Sequence, residues 1–264
     1  MSGEQQIPAA VHRPDPMVRS VTVSEIVESL VEGMRDFQSA PVYGLTFGAL
    51  YALGGILTVL CVSALGASYL AYPLAAGFAL IGPFVAVGLY EVSRRREAGE
   101  PLSWSAVIGT IVAQGRRELG WMAFVTVFIF VVWMYQVRLL IALMLGLKSF
   151  STLREFLLVV TTTPEGWIFL IIGHLLGAVL SLVLFSLTVV SFPLLLDRDI
   201  DFVTAMITSV RAVVASPGPM IGWAAAVVIL MIVACIPAFL GLLVVLPVLG
   251  HATWHLYRRI VVPL

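Results

Sequence analysis

The sequence predicts an all-α protein, a polytopic bundle of membrane-spanning helices. Composition is the first reason: 60% of residues are hydrophobic, 11% are charged, and mean hydropathy is +1.05. That is far from the balance of a soluble domain. Run length is the second. Several apolar stretches reach the roughly 18–20 residues a helix needs to cross a hydrocarbon core. The third is an echo between Pro83–Arg95 (PFVAVGLYEVSRR) and Pro247–Arg259 (PVLGHATWHLYRR). Both run proline, six residues, an aromatic (Tyr90 or Trp254), three more, then Arg-Arg. An apolar run enters each string and stops at the basic pair, the pattern of a span pinned in the aqueous layer.

In chain order, residues 1–20 carry three prolines and little apolar content and read as a disordered tail. Thr22 and Glu25 then stand at capping-box spacing. Ile26, Val27, Leu30, Val31, Met34 and Phe37 share one face of the helix that follows. It is too short to span, so it lies along the membrane surface or against the bundle, and Pro41 ends it. The first span is expected over about 42–65 and the second over about 69–92, with a tight turn near Gly66-Ala67-Ser68. A second amphipathic segment presents Trp104, Val107, Ile108, Ile111 and Val112. The third span starts at Leu119 and runs to Val137, with an extension past Arg138 if that arginine snorkels. A short amphipathic piece over 149–160 is broken at Thr161-Thr162-Thr163-Pro164.

The fourth span, about 167–196, is some thirty residues and about 45 Å long at 1.5 Å per residue, so it must tilt, bend or protrude. Asp197-Arg198-Asp199-Ile200-Asp201 follows, then a third amphipathic helix with Phe202, Val203, Met206, Ile207, Val210, Val213 and Val214 to one side. Residues 220–256 are almost wholly apolar, about twice one crossing, and are divided near Pro237. The total is about six spans.

These parts repeat as surface helix, span, connection, span, over about 22–96, 102–199 and 200–260. The whole of 21–264 is one membrane domain. Arg35 precedes Pro41, and Arg211 precedes Pro217, by the same six positions. Pro83, Pro193 and Pro247 recur in the second span of each pair. The middle unit departs most, with an insertion over 138–166 and no closing Arg-Arg. Of the fifteen Lys and Arg, all but Arg138, Lys148 and Arg154 fall in segments on one predicted side. The positive-inside rule puts both termini and the three amphipathic helices in the cytoplasm.

The strings SFPLLLDRDIDFVTAMITSV, SPGPMIGW and LPVLGHATWHLYRR resemble a bacterial family of predicted integral membrane proteins catalogued as a domain of unknown function. The resemblance extends from about residue 24. It implies an inner-membrane protein of about six spans, and it brings no activity, substrate or cofactor.

Chemistry-bearing residues are few. His251 and His255, four apart on one helical face, have the spacing of metal ligands but no Glu between them. Packing or anchoring beside Trp254 is the plainer use. His174 lies inside the fourth span, where an ionisable group is a functional lead or a hydrogen bond to a neighbouring helix. Glu91 and the cluster Asp197, Arg198 and Asp199 sit at span ends, as interfacial salt bridges or a cation entrance. Pro83, Pro193 and Pro247 imply three bends, which either wrap one span around the next or open a polar vestibule. Cys61 and Cys235 read as packing residues. No catalytic, cofactor or metal site is assigned. Zero net charge offers no surface for nucleic acid, so the partners expected are the bilayer and a membrane protein or a second copy. The reading this favours is a non-enzymatic accessory, assembly or scaffold component. The alternative is a transporter or channel for a small or amphiphilic solute. An enzyme is least supported.

Overall fold

The structure, a computed structural model, describes residues 16–64, 71–146 and 153–262. Among them the elements are helices α1 (Val23–Ser39), α2 (Pro41–Ala64), α3 (Ala71–Glu97), α4 (Trp104–Gly115), α5 (Glu118–Leu140), α6 (Leu153–Thr162), α7 (Pro164–Thr188), α8 (Ser191–Asp197), α9 (Phe202–Ala215), α10 (Pro217–Cys235) and α11 (Leu242–Ile260). No strand occurs among the described residues. The turn expected at 66–68 lies outside them, as does part of the 138–166 insertion.

Local chemistry explains most boundaries. Thr22 and Glu25 close a reciprocal capping box at the start of α1. Pro41 and Pro217 stand first in α2 and α10, where the missing N–H removes no helix bond. Thr163 caps α7 through the Gly166 amide, with Pro164 behind it. Past Arg138, α5 continues as one π turn, Ile141–Leu145, so the expected extension is present. The apolar run 220–256 divides at residues 236–241. There Ala238 and Phe239 take positive φ of 50° and 67°, a strained conformation for side-chain-bearing residues. The Phe239 ring is held in place against Gly55, where any side chain would collide with it.

Among the described residues, five helices are long and apolar enough to cross a membrane: α2, α3, α5 with its π turn, α7 with α8, and α10. The stretch expected to be the sixth, α11, is not in that set. Its second half carries His251, His255, Arg258 and Arg259, and protein rather than lipid surrounds most of it. It runs back antiparallel to α1 and α2. Arg259 meets Glu32 and Ser29, Gly33 lies against the Ala252 backbone, Gly44 against Pro247 and Gly48 against Leu243. Small residues set these approaches, as expected where lipid rather than water surrounds the helices.

One expectation is narrowed. The tail predicted over 1–20 is tied down from Met17, since Arg19 N–H donates to Ile260 O at 2.9 Å and Val262 N–H to Met17 O at 3.0 Å. Of the two placements left open for the amphipathic helices, packing on the bundle by the apolar stripe is not the one seen: small and polar residues make the inward contacts. α1 buries Ile26, Ser29, Gly33 and Asp36 while Val23, Val27, Val31 and Met34 face outward. α9 buries Ala205, Thr208, Ser209, Ala212 and Val213 and turns Val203, Ile207 and Val214 out. In α4 Val107 is buried and Ile108 and Val112 are exposed. Gly, Ser and Ala permit contact at backbone distance, and the larger aliphatic side chains would hold the helices apart.

Candidate functional site

Polar side chains gather at the end of the bundle where Met17–Arg19 meet Ile260–Val262. Ser29, Gly33 and Asp36 fall on one stripe of α1, His251, His255 and Arg259 on the facing stripe of α11, and Ser93 and Arg96 on α3 between them. Asp36 is the hub. Its Oδ2 accepts from Ser93 Oγ at 2.6 Å and meets His255 Nε2 at 2.8 Å, while its Oδ1 accepts from Arg96 Nε at 2.9 Å. Burial pushes the Asp36 carboxyl up, but the bonds from His255, Ser93 and Arg96 outweigh it and hold it well below the usual carboxylate range. Arg259 grips Glu32 with both terminal nitrogens, at 2.6 and 3.0 Å, and lowers its pKa too.

Ser93 Oγ also lies 2.8 Å from His251 Nδ1. Ser93 has one proton and directs it to Asp36, so His251 donates from Nδ1 and its Nε2 is the bare acceptor. That atom is buried with no partner among the described residues. The Ser, His and Asp here do not form a nucleophile with its base: the serine proton goes straight to the carboxylate, and Ser93 is wholly buried. Nor do three metal-ligating side chains cluster anywhere among the described residues. His251 and His255 both turn toward Asp36, one through Ser93 and one directly. A polar pocket of about 470 Å³ opens beside this knot, and Arg35 stands on its wall with Glu32, Asp36, Arg96 and His255.

The other residues singled out in the sequence are dispersed. Glu91 is 0% exposed and holds Arg94, Arg95 and the Thr110 hydroxyl. Asp197 accepts from the Tyr257 hydroxyl and Arg258, and Asp199 pairs with Arg117. Arg198 donates to Val262 O at 2.7 Å. Arg211 lies on the exposed side of α9. His174 is exposed on α7, its Nδ1 2.7 Å from the Leu170 carbonyl of its own helix.

The prolines behave unequally. Pro83 and Pro247 sit inside unbroken helices. The Tyr51 hydroxyl donates to Phe78 O at 2.7 Å, one residue before the carbonyl that Pro83 frees. Gly48 lets α2 reach the Leu243 carbonyl that Pro247 frees. Pro193 follows a break at Val189–Val190 that separates α7 from α8. The nearby hydroxyls of Ser186, Thr188 and Ser191 bond to the Leu182, Leu184 and Leu187 carbonyls, and none of them reaches Val189.

Two features escaped the sequence reading. A largely apolar cavity of about 820 Å³ lies between α2, α3, α7, α10 and α11, with Trp223 in its wall. Gly173 and Gly177 form a Gly-x-x-x-Gly step on α7, a recognised signal for close contact between membrane helices. A side chain at Gly173 would meet nothing within 4 Å, and one at Gly177 only Trp133 Nε1 at 4.0 Å.

Helices and polar ends of this kind define a multi-pass integral membrane protein. Residues 71–197, from α3 through α8, match the sequence model of a family of predicted integral membrane proteins, DUF2189, whose function is unknown. The match contains Glu91, Ser93, Arg96 and the whole α5–α7 region, and it excludes α1, α2 and α11. It is narrower than the extent read from residue 24 onward. Of the three strings that carried the resemblance, only the start of the first falls within it. Comparison with curated proteins and with solved structures gave no match.

Proposed function

We propose that the chain is a non-enzymatic component of a bacterial inner-membrane assembly, an accessory or scaffold that offers α5 and α7 to a transmembrane helix of a partner protein. Unequal burial carries this reading. In the most apolar stretch of α3, 44% of residues are buried by the rest of the chain; in those of α5 and α7 the figure is 6%. The open Gly173–Gly177 step lies on this bare arm.

The same reading takes α11 as a sixth crossing and places both termini in the cytoplasm, where the basic residues concentrate. It treats the chain as three related units. The α1–α2 and α9–α10 junctions support that, since Ala40 (φ −135°, ψ 53°) and Ser216 (φ −144°, ψ 63°) turn the chain alike. A transporter or channel has less support, because Asp36, Glu91 and Asp197 are engaged in ion pairs or hydrogen bonds at one end of the bundle.

Purification in mild detergent is expected to recover a membrane partner at fixed stoichiometry, lost in Gly173→Leu and Gly177→Leu at unchanged yield. A lone monodisperse chain, a homodimer alone, or recovery indifferent to both substitutions overturns the proposal.

A further inference from the structure

We propose that the cavity between α2, α3, α7, α10 and α11 binds one acyl chain of a bilayer phospholipid, with the Trp223 indole N–H donating to that chain's ester carbonyl. Its volume of about 820 Å³ and its place between bundle helices suit a small-molecule site. Its wall is mostly aliphatic and aromatic, with Phe78, Phe185, Val227 and Met231 among the lining. The hydroxyls of Tyr51, Thr58, Thr188 and Thr253 are already bonded to backbone carbonyls. Trp223 differs: it is 2% exposed and its Nε1–H has no acceptor among the described residues. A buried donor left alone is an exception that calls for an explanation, and a ligand oxygen supplies one.

The shape points to a chain from the bilayer. Val59, Val228 and Ile232 line the cavity and are at least half exposed, so the mouth opens sideways between spans rather than at a polar end. Trp223 and Cys235 both line it, and twelve residues of helix between them give a length of about 18 Å. That suits an extended chain better than a compact solute.

Depth fits the ester. Tyr90 and Thr253 line the cavity with Trp223. Arg94 and Arg258 follow them by four and five residues, about 6–8 Å along their helices. With the arginines at the phosphate level, this end of the cavity lies one interfacial layer beneath, since that layer is roughly 5–7 Å thick per leaflet. Ester carbonyls lie at that boundary.

The test uses the full chain in lipid-free detergent, titrated with a diester phosphatidylcholine and its dialkyl-ether analogue of equal chain length, with bound molecules counted by native mass spectrometry. One diester lipid per chain is expected, with the ether analogue about threefold to tenfold weaker, the worth of one hydrogen bond. Trp223→Phe keeps the bulk of the ring and is expected to bind both lipids alike, at the ether level. Ala79→Phe, on the cavity wall, is expected to abolish the retained lipid. Equal binding of the two lipids by the unsubstituted chain overturns the proposal and needs no variant to fold. So does a lipid still retained by Ala79→Phe, or a free fatty acid that displaces the phospholipid at equal concentration.

Discussion

The contact of α11 with α1, α2 and α3 and the pair α5–α7 are both built of long helices, yet they are held by different means. Around α11 the backbones nearly touch: a side chain at Gly33 would lie 2.6 Å from Ala252 N, and one at Gly48 2.8 Å from Leu243 Cα. Ion pairs tie the same helices together at the end that holds Asp36 and Arg259. α5 and α7 carry the higher hydropathy of the two regions and bury almost none of it within the chain. Hydropathy in this molecule therefore reports what faces lipid. The closest seams, those of α11 with α1 and α2, add Gly, Ser, Asp and His to a core that is otherwise aliphatic and aromatic, as expected where apolar burial does not by itself drive helices together.

The sharpest way to break that comparison is to put the same side chain at a glycine in each region. Gly33→Leu meets the backbone of α11, which cannot move aside, and is expected to cost about 3 kcal/mol or more. Gly173→Leu enters open space and is expected to stay within about 0.5 kcal/mol. Thermal unfolding of the two purified variants in one detergent checks this, and equal losses would remove the distinction.

Next in size is the hub. Asp36→Ala strands His255, Ser93 and Arg96 together, and a cost of about 2–3 kcal/mol is expected. Asp36 also makes the α1 contact sensitive to acid. Its folded pKa is depressed, so its stabilisation is complete above the unfolded value of about 4. It is lost as pH falls from there through the folded value. Protease cleavage within α1 should therefore rise below about pH 4 and change little between pH 5 and 7, and Asp36→Asn should flatten the rise. A rise centred well above pH 4 would mean that Asp36 does not carry the effect.

The sequence made much of the frame legible, because its signals were local. The Thr22–Glu25 box, the Thr163-Pro164 boundary and the division near Pro237 all depend on a few adjacent residues. The inward face of α1 was not legible. Periodicity identifies an apolar stripe but not whether membrane or bundle lies against it, and here Gly33 and Asp36 face inward and Val27 and Val31 outward. Asp36 and Ser93 were missed because their meeting joins residues 57 positions apart, with no motif at either end. Nothing in the sequence around Trp223 marks its N–H, and only the packed helices leave it without an acceptor among the described residues. The Gly173–Gly177 step has a sequence signature, but its open space is a property of the packing.

The smallest effect is expected where the arm joins the rest. Arg117, between α4 and α5, pairs with Asp199 in the α8–α9 connection, both side chains more than half exposed. Such a pair gains little in water and is screened by salt. The neighbouring Glu118 carboxylate accepts from Phe202 N–H at 3.0 Å, and the Trp121 ring stacks on Phe202 at 5.6 Å, so the joint keeps other contacts when the arginine goes. Arg117→Ala should then cost under about 1 kcal/mol, and its melting curve should converge on that of the unsubstituted chain at high salt. Trp121→Ala, which removes the stacked ring, should cost more and keep its effect in salt. If Arg117→Ala alone loosened the arm, as read by hydrogen exchange at the Phe202 amide that donates to Glu118, charge rather than packing would hold it.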